Sequence, residues 1–379
     1  MRIAFVSNVV YPYVTGGAEK RIHEIGTRLT DQGHEVTVYG RHFWDGPAEI
    51  THEGMTLRAV APEADLYEED RRSITEALDF AARALPPLRR RLRNDEHDVV
   101  VASVFPYFPV LSAKIASIRT DTPLVTTWHE VWGDYWDEYL GHLAPFGKVT
   151  ERVTARTPQH PTAISAITAD RLATIGPDRE RIDIIPNGID VEQVRTAPLP
   201  DREYDVLFAG RLIEHKNVDI LLEAFDAIAD TRDVTLGIIG DGPERERLEA
   251  KRDALRHADR VEFLGFLDDY EDVLGHMRAA DVFASPSIRE GFGITFLEAM
   301  AADCTVIAAD HPESAADEVI ADAGFLVDPT VDSLTERLDA ALGGTRPSTV
   351  PTDHARQYDW DTIAEKAETV YQRAVEDAW

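Results

Sequence analysis

The sequence predicts an α/β protein built from two doubly wound, Rossmann-like domains. Short β-branched runs alternate with segments of helical period along the whole chain, the pattern of parallel sheets covered by helices. The rhythm breaks near Pro186 and restarts near Tyr204. A chain of 379 residues also exceeds one core, since roughly 150 residues per domain is the usual prior.

Arg2–Ser7 reads as the first strand. A Gly16-Gly17 turn follows, then a helix over Ala18–Gln32 with Ile22, Ile25 and Leu29 on one face. Glu35–Tyr39, Val99–Ser103 and Leu124–Thr127 read as further buried strands. In the second half the strands are Tyr204–Ala209, Val234–Ile239, Val261–Leu264, Val282–Ser285 and Thr305–Ala308. Between the halves lies Ile185-Pro186-Asn187-Gly188-Ile189-Asp190, followed by a weakly patterned stretch that Pro198 and Pro200 stiffen. These signals divide the chain into a domain over 1–185, a linker over 186–200 and a domain over 201–355. Gly343–Pro351 reads as a second linker, before a closing helix over about 356–379 that packs back on the first domain.

Composition limits the function. Against 39 basic residues stand 69 acidic ones, a formal net charge of −30. Such a surface repels nucleic acid, whose binding rests on Lys and Arg neutralising phosphates. Only six of the basic residues are lysines. An acidic, lysine-poor surface resembles that of proteins from salt-loving archaea, where molar salt shortens the Debye length to about 3 Å and screens self-repulsion; an ordinary acidic cytosolic protein is the alternative. Cys304 is the sole cysteine, which excludes an intrachain disulfide and fits a reducing compartment. The N-terminus does not read as a signal peptide. The apolar run Val99–Ala113 contains Pro106 and Pro109 and falls short of the roughly 20 residues of a spanning helix. The expected location is cytoplasmic, soluble or peripheral on the inner face of the membrane.

Three segments could carry chemistry. At Gly16-Gly17-Ala18-Glu19, glycines at a helix start let a phosphate approach backbone amides; a tight connection alone explains them equally well. Arg211 and Lys216, in Gly210–Asn217 at the ligand end of a strand, suit a two-point clamp on a diphosphate, Arg as a planar fork and Lys as a point charge. Ser285–Glu298 leaves a strand, crosses Gly291 and Gly293 and enters a helix. Glu290 precedes the turn and Glu298 lies about one turn into the helix, placed so that each could hold a vicinal diol.

These motifs, with Pro186-Asn187-Gly188-Ile189-Asp190, Gly240-Asp241-Gly242-Pro243 and Val261–Gly265, resemble those of the retaining glycosyltransferases of family 4 over essentially the whole chain. The resemblance implies the GT-B architecture, two facing Rossmann-like domains with an interdomain cleft that closes on the donor. It implies transfer of a hexosyl group from a nucleoside diphosphate sugar to an acceptor hydroxyl, on a glycan or a lipid-linked acceptor, with retention of configuration. Arg211 and Lys216 would hold the diphosphate, Glu298 the ribose, and Glu290 the transferred sugar with the amides near Phe292, Gly293, Ile294 and Thr295. Gly16 or Gly17 would approach the phosphate, the base would lie near Phe266 and Leu267, and His129 matches the family's active-site histidine. The resemblance implies no metal and no cofactor beyond the donor, and the acidic residues Asp241, Asp268 and Asp269 are not read as ligands. A sugar-nucleotide epimerase or hydrolase of the same architecture, or a non-catalytic nucleotide-sugar-binding protein, are the alternatives.

The chain departs from the family in two places. Ala302-Asp303-Cys304-Thr305-Val306 stands where a small residue, Gly, x, Pro and Val are usual, and Asp310-His311-Pro312-Glu313 lacks the usual glycine pair. Both lie beyond the carboxylate pair and are expected to alter loop shape more than donor chemistry. Separately, Arg83, Arg89, Arg90, Arg91 and Arg93 form a basic cluster. Leu85, Leu88 and Leu92 share one face of that helix, expected to break at Pro86-Pro87. One reading is an amphipathic membrane contact, the other a surface helix with its leucines turned inward.

Overall fold

The computed structural model describes residues 1–14, 16–68, 71–94, 96–104 and 106–376. The β-branched runs are strands buried along their length. Leu124–Trp128 is buried at every position and Val99–Ser103 at all but the last, as strands covered on both faces must be. The chain forms two compact units, Met1–Pro186 with Trp360–Trp379, and Asn187–Asp359.

The first unit contains β1 (Arg2–Val6), β2 (Glu35–His42), β3 (Glu49–His52), β4 (Met55–Pro62), the short pair β5 (Tyr67–Glu68) and β6 (Arg71–Arg72), β7 (Val99–Ser103), β8 (Leu124–Trp128), β9 (His160–Ala163) and β10 (Asp183–Ile184). Its main sheet runs β10-β9-β8-β7-β1-β2-β4-β3 and is parallel except for the β3–β4 hairpin. The strand order reverses between β1 and β7. Residue pattern did not announce the hairpin: β3 has no fully buried position, so its apolar content is that of a loop.

The second unit contains β11 (Val206–Ala209), β12 (Leu236–Ile239), β13 (Val261–Gly265), β14 (Val282–Ser285), β15 (Thr305–Ala309) and β16 (Phe325–Val327), in the order β13-β12-β11-β14-β15-β16 and wholly parallel. This is the doubly wound dinucleotide-fold order, with its switch point between β11 and β14.

Two boundaries differ from those read in the sequence. The stretch read as a linker over 186–200 holds a short helix, Val191–Thr196, and from Asn187 onward belongs to the second unit. Asp190 caps it by accepting from the Gln193 N–H at 2.8 Å, an interaction that a six-residue helix leaves almost invisible in periodicity. The closing helix spans Trp360–Glu376, and its predicted last residues, 377–379, lie outside the described ones. Trp360, Ile363, Ala367 and Tyr371 enter the same core as Ile3, Phe5, Ile22 and Ile25, so this helix is a structural member of the first unit.

The basic helix, Ile74–Arg93, is continuous through Pro86 and Pro87 rather than interrupted. Each proline removes one backbone donor. The carbonyls so released belong to Ala82 and Arg83, both exposed residues, so the missing bonds fall on the solvent side of the helix. Leu88 and Leu92 are fully buried in the core and Leu85 packs against it. The leucines therefore point inward and offer no apolar face to a bilayer. Of the arginines, Arg83 pairs with Asp79, Arg91 with Glu96, and Arg89 donates to the Ile115 carbonyl.

Candidate active site

In the second unit, the loops that follow β11 and β14 border the switch point, and the sequence-predicted clamp and carboxylates sit on them. Gly210 leaves β11 with its N–H on the Ile239 carbonyl, and Leu212 N–H donates to the Asp241 carbonyl. Glycines at 240 and 242 make this approach feasible. A Cβ at Gly240 would collide with the Gly210 carbonyl oxygen, and one at Gly242 with that of Leu212. The Gly240-Asp241-Gly242-Pro243 motif is thus a backbone support for the loop carrying Arg211.

That loop then tightens into a turn, Glu214–Lys216, and ends at Asn217 in the left-handed region (φ 51°), a conformation Asn tolerates better than most residues. Asn217 Nδ2 donates to the Pro286 carbonyl at 3.2 Å, and Ile288 N–H donates to the His215 carbonyl at 3.0 Å. These two bonds stitch the β11 loop to the β14 loop. Their consequence is a contact that residue order alone did not disclose: Lys216 Nζ lies 2.5 Å from Glu290 Oε1, with both side chains largely buried (17% and 13% exposed). A charge-assisted bond so shielded is held more firmly than a surface pair. Arg211, by contrast, is exposed and makes no ion pair among the described residues, so its guanidinium is available to an anion.

The backbone of Glu290 is anchored through its carbonyl, which accepts from Ala315 N–H at 2.9 Å. The loop that lacks the usual glycine pair, 310–313, thus leads directly into the segment holding Glu290. Beyond it, Phe292 is buried and Gly293 (φ 85°) starts the helix Ile294–Ala301 with no side-chain cap. The first N–H groups of that helix, at Ile294 and Thr295, thus have no capping side chain and could donate to an acceptor oxygen of a ligand. A side chain at 293 would strike the Phe296 ring. Glu298 is buried and accepts from the Tyr270 hydroxyl at 2.5 Å. Burial, then the Glu298 charge and hydrogen bond, push that phenol well above its ordinary value, so it stays a donor. Tyr270 is a site residue that sequence reasoning missed; one tyrosine after an acidic pair carries no signal. Phe266 follows β13 and is 74% exposed, an aromatic face left bare at the ligand end of the sheet.

Two of the three acidic residues not read as metal ligands have local duties. Asp241 accepts from Gly242 N–H and pairs with Arg245 at 2.9 Å; the backbone bond, then Arg245, holds its carboxyl below the usual range. Asp269 caps the helix Tyr270–Ala279 through Glu271 N–H.

In the first unit, Gly16 precedes the helix Gly17–Asp31, which has no side-chain cap. A Cβ at Gly16 would meet the Glu19 carboxylate, whereas nothing lies within 4 Å of one at Gly17. The Glu19 carboxylate therefore already lies against the amide end of this helix, and open space remains only beside Gly17. His129 directly follows β8. The residue is half-buried, and its Nε2 is buried with no hydrogen-bond partner among the described residues. Burial, with the Arg21 guanidinium adding in the same direction, lowers its pKa to about 3. His129 is therefore a neutral imidazole throughout the physiological range. Arg21 was missed by sequence reasoning, being hidden in an amphipathic helix. It is buried and donates to the Ile185 and Pro186 carbonyls, fixing the end of the first unit's chain, and burial lowers its pKa to about 10.

Comparison with known proteins accords with this geometry. Residues 15–193 match the family described as Glycosyltransferase Family 4, and residues 191–357 match Glycosyl transferases group 1. The chain is a GT-B glycosyltransferase. A phosphatidyl-myo-inositol mannosyltransferase of Mycolicibacterium smegmatis is 29% identical over 385 residues, covering 96% of this chain and 92% of the relative. The corresponding enzyme of Mycobacterium leprae is 36% identical, over 50% of this chain and 52% of its own. Among solved structures, sucrose-phosphate synthase from Thermosynechococcus elongatus superposes with a TM-score of 0.76 at 19% identity, covering 98% of both chains. HepE of Anabaena, solved in complex with UDP, does so at 0.71 and 21%, covering 98% and 100%. These structural likenesses speak for the fold.

The first departure of this glycosyltransferase from its family can now be located. Asp303 occupies the left-handed position (φ 69°) that closes the helix Ile294–Ala301, with Cys304 N–H on the Ala299 carbonyl and Asp303 N–H on the Met300 carbonyl. The backbone keeps the geometry for which glycine is usual. Cys304 is buried and burial raises its thiol to about 12, which leaves it inert.

Proposed function

We propose that the protein transfers a hexosyl group from a nucleoside diphosphate sugar to an acceptor hydroxyl, with retention of configuration and without a metal. The observation that carries this reading is the Lys216–Glu290 contact at the switch point of the second sheet. In it, Glu290 holds hydroxyls of the transferred sugar while Arg211 and Lys216 meet the diphosphate. Lys216 then stands between the sugar and the leaving nucleotide, where negative charge develops as the glycosidic bond breaks, and such preorganised charge lowers the barrier. Glu298, steadied by Tyr270, takes the ribose, and the exposed Phe266 lies near the base. The duties of Asp241 and Asp269 in pairing and capping support the basic pair, rather than a cation, as the diphosphate's counter-charge. The mannosyltransferase relatives and the UDP complex of HepE support a sugar nucleotide as donor. His129 acts as a neutral hydrogen-bonding group near the transferred sugar. The protein works in the cytoplasm, on a glycan or a lipid-linked acceptor.

Thermal stabilisation by a panel of nucleoside diphosphates and their sugars tests donor binding. A true donor at about a hundred times its Kd stabilises by about 2.7 kcal/mol, and Arg211→Ala removes most of that gain. Product analysis then separates the readings: transfer requires the acceptor, whereas an epimerase or hydrolase consumes the donor without one. Glu290→Ala lowers kcat by about 10²–10³, the range for losing one preorganised transition-state contact; unimpaired transfer by that variant would sink the assignment. Product configuration by NMR and activity in EDTA check retention and metal independence.

A further inference from the structure

The helix Ala144–Arg156 is out of character for an acidic chain. Its solvent face carries Phe146 (50% exposed), Val149 (58%) and Val153 (51%), with Leu143 just before it. Spacings of three and four place these side chains in one stripe. Arg152 and Arg156 are exposed on the same helix. Its only carboxylate, Glu151, is buried beneath it and accepts from the Tyr107 hydroxyl and from Trp132 and Gly133 N–H. Lys148 is neutralised by Asp134 and Asp137.

The neighbouring helix Tyr107–Ser117 extends this surface. Each of the two helices connects parallel strands, so both run the same way, and Phe108 meets Phe146 at their starts (6.3 Å between ring centres). This helix has no acidic residue; Ile115 and the following Ile118 are exposed, as is Arg119. Beside it lies the helix Ile74–Arg93, joined by the Arg89 bond to Ile115, whose exposed Arg90 and Arg93 carry no ion pair among the described residues. The apolar surface also continues inward, as a cavity of about 50 Å³ lined by Tyr107, Phe108, Trp136, Leu140 and Phe146.

We propose that this three-helix layer of the first unit docks on an anionic lipid bilayer. The stripe from Leu143 to Val153, with Ile115 and Ile118, enters the boundary between headgroups and acyl chains, and the guanidinium groups meet lipid phosphates. Charge complementarity selects this occupant. In a chain of net charge −30, a cationic and apolar face fits an anionic, apolar-cored partner. Two-fold pairing with a second copy would set its arginines against one another. The basic cluster thus finds its apolar complement on neighbouring helices instead of on its own leucines. No helix among the described residues is long and apolar enough to cross a membrane, so the contact is peripheral.

The test uses the full chain and vesicles of phosphatidylglycerol or of phosphatidylcholine, without donor or acceptor, so its outcome is independent of the transfer reading. The protein co-sediments with phosphatidylglycerol vesicles at 0.1 M salt and not with phosphatidylcholine. The variant Phe146→Ser/Val149→Ser/Val153→Ser binds about a hundredfold more weakly, since three half-exposed apolar side chains are withdrawn. Replacing Arg90, Arg93, Arg152 and Arg156 by Gln weakens binding at least about tenfold at 0.1 M salt and by less at 1 M, where charge is screened. The arginines, Val149 and Val153 face solvent while Phe146 also packs on Phe108, so the arginine variant melts near the parent and the serine variant somewhat below it, still folded at the temperature of the assay. Absence of binding to phosphatidylglycerol, or binding unchanged in the serine variant, overturns the proposal. So does a dimer that the serine variant dissolves while vesicle binding is absent.

Discussion

At the scale of single residues, the site depends on which groups are charged and which are held neutral. His129 and His97 are both neutral, with pKa values lowered to about 3 and about 4; burial is the main cause, aided by Arg21 and Arg58 respectively. The sign of the linkage follows. Below about pH 6.5 the unfolded chain takes up protons that the native one refuses, so stability is complete above that pH and declines as pH falls toward 4. The slope is about 1.4 kcal/mol per pH unit for each such proton. Urea unfolding at pH 7 and pH 4.5 checks this: His97→Asn loses less stability across the interval than the parent by nearly one proton's worth. Transfer rates should likewise show no limb assignable to His129 above pH 5, and one at pH 6–7 that disappears in His129→Gln would contradict its neutrality.

At the scale of elements, two loops and one helix end carry the strain of the site. Gly242→Ala forces a methyl group onto the Leu212 carbonyl. Overpacking of this kind costs about 1–3 kcal/mol, and here the displaced backbone carries Arg211. Nucleotide affinity, read by calorimetry, should fall at least about tenfold; full affinity would mean that the loop yields without moving the clamp. Asp303 offers the opposite experiment. A residue other than glycine in the left-handed region is held there at a cost, modest for Asp. Asp303→Gly should raise stability by about 0.5–1 kcal/mol in denaturant melts and leave transfer unchanged. These elements also show what could be read early. Glycine positions flagged the loops because glycine is needed where backbones nearly touch. Tyr270 and Arg21 escaped because a hydroxyl on Glu298 or a guanidinium on two carbonyls depends on residues 28 and 164–165 positions away.

At the scale of the whole molecule, charge dominates. A net charge of −30 repels itself, and raising salt from 0.1 M to 2 M shortens the Debye length from about 10 Å to a few ångströms. The melting temperature should therefore climb with KCl, as for a protein adapted to concentrated salt; a flat or falling profile would return it to ordinary acidic proteins. The closing helix shows how chain order and structural unit part company. Its core residues belong with Ile3 and Phe5 although they lie at the other end of the sequence, and nothing in the local pattern names the partner of an amphipathic face.

The sequence alone determined the two α/β repeats, because buried parallel strands need β-branched runs and the helices over them need period-3.6 faces. It also marked the glycine loops and the acidic residues on which the donor site is argued. Tertiary structure decided the contacts: that Lys216 lies against Glu290, that Leu88 and Leu92 are core, and that the apolar complement of the arginine cluster sits on Ala144–Arg156. Pattern fixes which face of an element is apolar. What that face meets depends on strand order and on hydrogen bonds between distant loops, and those exist only once the chain has closed on itself.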